Sequence, residues 1–163
     1  MDESFQHLLQ GNADISVETD PSIVFTFPIN AYPAPKLYEG RMDFNKHYYD
    51  VIGDMNDEEV ECAKILDRMP ETLYWVRNIE RHPSCSFSLP TSTDNFYPDF
   101  VALLNDGRIL CIEYKGAHLI TNEDTNEKRI VGELWAERSG KRCLFLLIGK
   151  ENLEASLIST VQR

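Results

Sequence analysis

Phe96–Gly116, FYPDFVALLNDGRILCIEYKG, is the stretch whose reading decides this chain. Two β-rich runs flank Asn105-Asp106-Gly107, a trio of turn-forming residues, so the segment predicts a hairpin. Asp99 follows Pro98 at the start of the first run, and Glu113 and Lys115 lie on the second. Strand side chains alternate with a period of two, so Glu113 and Lys115 share a face and Tyr114 takes the opposite one. The hairpin returns Asp99 to that same end. Two carboxylates and an ammonium are therefore expected at one edge of a sheet otherwise made of Val, Leu, Ile and Cys. Carboxylates that close repel each other, and a divalent cation removes the conflict. Hard oxygen ligands favour Mg²⁺ or Mn²⁺, with the Tyr114 carbonyl placed to complete the shell. Such a cation suits phosphodiester hydrolysis, because it polarises a phosphate and lowers the pKa of a bound water. Lys115 can hold the attacking water or counter charge on phosphorus. The plainer alternative is that Glu-x-Lys is an ordinary solvated pair on an exposed strand face.

Working outward, Asn56–Arg68 predicts a helix that Asn56 caps, with Glu59 three residues on completing a capping-box pair. Glu71–Ile79 and Ser84–Leu89 read as strands. After the hairpin, Asn122–Arg138 becomes helical, with Ile130, Val131, Leu134 and Trp135 as its apolar stripe and Gly140 as its stop. Cys143–Ile148, CLFLLI, is a continuous apolar run that reads as a buried strand. A strand that returns after a helix lies parallel to an earlier one. The expected class is thus α/β, a mixed central sheet flanked by helices. Towards the front, residues 1–20 predict a short helix and loose chain. Ile23–Ile29 alternates as an edge strand interrupted by Pro28, and residues 30–46 form a Pro- and Tyr-rich connector. There is no internal repeat.

The chain of 163 residues carries a formal charge of −11, unevenly spread. Residues 1–60 hold 3 Lys and Arg against 12 Asp and Glu; residues 61–163 hold 13 against 15. That balance argues against tight, autonomous duplex binding, which needs clustered basic residues along a phosphate path. Cys62, Cys85, Cys111 and Cys143 form no close pair, so they predict buried reduced thiols rather than a zinc site or a disulfide framework. No apolar run is long enough to span a bilayer, and the N-terminus lacks the pattern of a secretory signal. The expected location is cytoplasmic.

On the quoted Phe96–Gly116 string the chain resembles the PD-(D/E)XK nuclease motif found at the C-terminus of the Res (restriction and helicase) subunits of type III restriction enzymes and related defence helicases. EEVECAKILD resembles that family's first helix, YWVRN its next strand, FSLPTSTDNFYPDF the approach to the metal, and TNEDTNEKRIVGELWA the helix that follows. The likeness runs over roughly residues 44–149. It implies a restriction-endonuclease-like core in 44–163, preceded by an acidic extension or connector in 1–43. It also implies Mg²⁺-dependent cleavage of double-stranded DNA in phage defence, beside a helicase or translocase and a modification subunit. ATP would act only through that separate motor, because no GxxxxGKS/T phosphate loop occurs here. The chain then looks like a piece of a larger subunit or a solitary relative of one. Two alternatives belong to other classes: a catalytically inactive nuclease fold serving protein interaction, and an acidic mimic of phosphate.

The resemblance also places an acid on the first helix, where Glu58, Glu59 and Glu61 compete. Helical spacing puts Glu59 inside the sheet-facing stripe with Cys62, Ala63, Leu66 and Met69. It can serve the catalytic edge, or only close the capping box with Asn56. Lys128, Arg129, Lys141 and Arg142, with Arg138 between them, form a candidate DNA-facing stripe, or else the solvated face of an ordinary helix. Lys128 stands nearest the catalytic edge as an auxiliary phosphate contact. His118 reads as structural, and Trp75 and Trp135 as core.

Overall fold

The computed structural model describes residues 27–29, 31–82, 84–116 and 123–163. The expected helix in 1–20, the first residues of the Ile23–Ile29 run and His118 lie outside them. Within them the chain forms α1 (Asp57–Arg68), β1 (Thr72–Arg77), β2 (Leu89–Pro90), β3 (Asn95–Phe96), β4 (Phe100–Leu104), β5 (Ile109–Tyr114), α2 (Glu123–Arg138), β6 (Cys143–Ile148) and α3 (Leu153–Val161). The four long strands make one sheet in the order β1-β4-β5-β6, and β2 and β3 make a small antiparallel ribbon. β1 with β4 and β4 with β5 are antiparallel. β6 runs parallel to β5, with Glu113 opposite Leu147. The protein is α/β with a mixed central sheet, as its pattern of elements predicts.

Alternation along the strands gives the sheet two apolar faces. On the first, Trp75, Phe100, Ala102, Leu104, Leu110 and Ile112 pack with Cys62 and Leu66 of α1 and Leu157 and Val161 of α3. On the second, Val76, Val101, Leu103, Ile109, Cys111 and Phe145 pack with Trp135 of α2 and with Phe87 and Phe96. Both tryptophans are core, and all four cysteines are buried free thiols. α2 lies close to β6 at Gly132, where a Cβ would run into the Phe145 ring. Residues from Phe27 onward join this body: Phe27 is buried, Tyr38 and Phe44 pack on the first face, and Leu37 pairs with Gly53. No helix among the described residues is long and apolar enough to cross a membrane.

Two expectations are corrected and one element is added. The Ser84–Leu89 strand reduces to Leu89–Pro90, because the backbone before it is claimed elsewhere. Cys85 and Ser86 N–H groups turn back to the His82 carbonyl, and Phe87 bonds through both N–H and C=O to the Asn78 side chain. In the α2 stripe, Trp135 is buried and Val131 and Leu134 are half-buried, but Ile130 is 65% exposed. Helix α3 was not foreseen from the pattern. Asn152, which precedes it, is left-handed (φ 57°) and makes no side-chain cap, so the usual start signal is missing.

Candidate active site

Asp99, just before β4, is held by a dense set of bonds. The Asn78 N–H donates to its carbonyl at 2.9 Å, and the Asn78 side-chain amide donates to the Pro98 carbonyl at 2.9 Å. Arg77, the last residue of β1, donates from Nη1 to the Asp99 carbonyl at 3.1 Å and to Oδ1 at 3.0 Å. The Tyr114 N–H donates to Oδ2 at 2.8 Å. That last bond ties the Pro-Asp segment across to β5 and fixes the carboxylate at the sheet's end.

Glu113 shares the face of Ile109 and Cys111 and is only 3% exposed. Its carboxyl group feels the charge of the neighbouring Asp99 carboxylate. Lys115 Nζ lies 3.2 Å and Lys128 Nζ 3.5 Å from Glu113 Oε2. Lys128 reaches it from the first turns of α2, over the Phe96 ring and beside Asp124 at 3.4 Å. Burial first, and then the Asp99 charge, push the Glu113 carboxyl from its ordinary 4.5 up to about 8 in spite of both ammonium groups. Lys128 is itself raised: burial works against its charge, but Glu113 and Asp124 with its other neighbours together outweigh that.

Glu59 enters from the other face of the sheet, where it closes the capping box and also reaches Arg77. Its Oε2 accepts the Asn56 N–H at 2.9 Å, completing the capping box, and lies 3.2 Å from Arg77 Nη2. Burial raises its pKa, with Arg77 opposing and Asp99 adding to the rise. Arg77 thus links Glu59 to Asp99, and its own pKa is raised because Asp99 and Glu59 together outweigh the cost of burial.

Asp99, Glu113, Lys115, Glu59 and Lys128 therefore come together at one end of the sheet. The rest of the basic stripe does not. The Arg142 carbonyl accepts the Ile109 N–H at 3.0 Å, at the opposite end of β5. Six residues of strand separate Ile109 from Lys115, about 20 Å. Lys141 is exposed beside Arg142, and Arg129 bonds to Asn126 at 2.8 Å and lines a pocket with Leu144 and Leu146 of β6. Sequence reasoning missed Arg77 and Asn78. The signal for them was faint: a charged-polar pair closing an apolar strand, with Arg77 two residues from Trp75 and so on its face.

Among the described residues no set of three or more His, Cys, Asp or Glu side chains is gathered around one point as metal ligands. What the site offers is the Asp99–Glu113 oxygen pair plus backbone. An extended residue turns its N–H and C=O to the same side of its strand, so the Tyr114 carbonyl faces the Asp99 side along with its N–H. The Tyr114 ring is buried on the α1 face, where the Glu58 charge acts on its hydroxyl. With two ammonium groups already against Glu113, burial and the Asp99 charge still disfavour its ionised form. A single hard divalent cation fits that donor set. No protein-family model, no curated protein and no solved structure matches the chain.

Proposed function

We propose that this protein is a metal-dependent deoxyribonuclease domain with a restriction-endonuclease-like core. On this reading it is the cutting module of a type III restriction or related defence helicase. The observation that carries the proposal is the meeting of Asp99, Glu113 and Lys115 at one sheet end, with Glu113 buried to 3% exposure and 3.2 Å from Lys115. A solvated surface pair would not be buried in this way, and because burying ionisable groups is costly, such a cluster supports a functional reading.

Mg²⁺ or Mn²⁺ held by Asp99 and Glu113, with the Tyr114 carbonyl, would supply phosphate polarisation and an acidified water. The chain's own residues do the rest. Arg77 and Asn78 hold the Pro98–Asp99 backbone so that the Asp99 carboxylate faces Glu113. Lys115, once its contact to Glu113 gives way, carries the ammonium that orients the attacking water or meets charge on the phosphorus. Lys128 offers a second ammonium to a flanking phosphate. Only one lysine of the basic stripe stands at the site, and residues 61–163 carry a net charge of −2. Delivery of the duplex by a motor partner is consistent with so weak an electrostatic footprint.

Nicking of supercoiled DNA in Mg²⁺ tests the reading. Wild type nicks, chelation stops it, and Lys115→Ala lowers the rate by about 10²–10³-fold, the usual loss of one transition-state charge contact. Equal nicking by Lys115→Ala removes the site from the chemistry, and none by wild type with Mg²⁺ present returns the fold to a binding role.

A further inference from the structure

Arg77 is the most heavily engaged side chain of the site. Its Nε donates to the Asp54 carbonyl at 3.1 Å, its Nη1 meets Asp99 Oδ1 at 3.0 Å, and its Nη2 meets Glu59 Oε2 at 3.2 Å. Its guanidinium also lies over the Phe100 ring, 5.5 Å from the centroid. It therefore sits between two carboxylates brought from α1 and from the start of β4, with its side chain 16% exposed.

A cation shared by two carboxylates is the arrangement of two-metal phosphodiesterase centres, where paired ions clamp the attacking and leaving oxygens. Here a covalently attached cation fills that place between Glu59 and Asp99. A guanidinium keeps its charge at every working pH, and its planar fork fixes the geometry of what it binds. The Glu59 oxygen it holds is also spent on the Asn56 N–H. The Glu113 side of the site is built differently: its counter-charges are two lysine ammoniums on flexible stems, which can swing away when a ligand arrives.

We propose that Arg77 is the fixed cation of this site, a positioning residue that sets Asp99 for one divalent ion and keeps Glu59 out of the ligand set. The inference rests on the metal-centre reading above and specifies its stoichiometry.

Mn²⁺ binding to the full chain, counted by the electron paramagnetic resonance of the free ion and by Mn²⁺-dependent melting, tests it without reference to cleavage. Wild type binds one Mn²⁺ per chain. Glu59→Gln, which keeps both acceptor roles, binds it with affinity within roughly threefold of wild type, since only a distant charge is lost. Arg77→Lys keeps the charge but not the fork, and weakens Mn²⁺ by about 10–100-fold, as loss of an outer-shell partner does. A second wild-type ion that disappears in Glu59→Gln makes Glu59 a ligand and overturns the proposal. So does wild-type affinity in Arg77→Lys. Should that variant not fold, the wild-type and Glu59→Gln counts still decide. Absence of any Mn²⁺ site brings down the metal-centre reading itself, so the two failures are distinct.

Discussion

The two ends of the β4–β5 hairpin are built from the same strands and treat charge in opposite ways. At the turn end, Asp106 and Arg108 pair at 2.7 Å where Asp106 is 53% exposed, and Gly107 takes the positive φ of 89° that the reversal requires. Asp106 stands in water while Arg108, 21% exposed, also donates to the Val161 carbonyl, and no carboxylate there is buried as Glu113 is. The turn is closed by backbone bonds between Leu104 and Arg108 at 2.9 Å and between Gly107 and Leu104 at 3.0 Å. At the open end, Glu113 is buried, Asp99 is bonded through its backbone and both carboxylate oxygens, and three cations from three elements converge on two acids. The turn end is what a hairpin needs in order to fold. The open end is more than folding needs, since well-packed apolar residues would commonly be as stable as buried ions. The excess is the mark of a site.

That contrast can be broken first at Arg77. Replacing it with Ala leaves Glu59 and Asp99 facing each other without a counter-charge, and the expected loss is about 3–5 kcal/mol of unfolding free energy. Chemical denaturation measures it; a loss under 1 kcal/mol would make the open end as forgiving as a surface. The turn end should give much less. At Gly107 a Cβ meets nothing within 4 Å, so Gly107→Ala carries only the backbone strain of a left-handed residue, about 1–2 kcal/mol. Denaturation of the two variants side by side, with the larger loss at Gly107, would reverse the comparison.

Much of this was legible in the sequence, and for identifiable reasons. The hairpin was written in Asn105-Asp106-Gly107, the cap of α1 in Asn56 and Glu59, and β6 in its unbroken apolar run. The period of two placed Glu113 and Lys115 on one face, and helical spacing selected Glu59 over its neighbours. What sequence could not give was the set of long-range polar bonds. Arg77 acts through partners 18 and 22 residues away, and nothing in TLYWVR marks it as more than the polar end of a strand. Asn78 likewise looked like a strand terminus, yet its side chain replaces the backbone pairing that Ser84–Leu89 was expected to make. The five cations over 15 residues do not form one patch. A helix of 16 residues is about 24 Å long, so its two ends serve different ends of the sheet.

Glu113→Gln addresses the central claim most directly, because it separates what the buried carboxyl does for the fold from what it does for chemistry. Its pKa rises from 4.5 to about 8 on folding, so the metal-free folded state keeps a proton that the unfolded chain releases. The stability from Glu113 is therefore fully present below about pH 4.5 and is lost as pH climbs towards 8. Melting temperatures of wild type and Glu113→Gln across that range, without metal, should converge at low pH. By pH 8 the variant should melt at least as high as wild type, while its Mg²⁺-dependent nicking of supercoiled DNA is lost. A variant that melts well below wild type at pH 8, or one that nicks at the wild-type rate, would contradict the account.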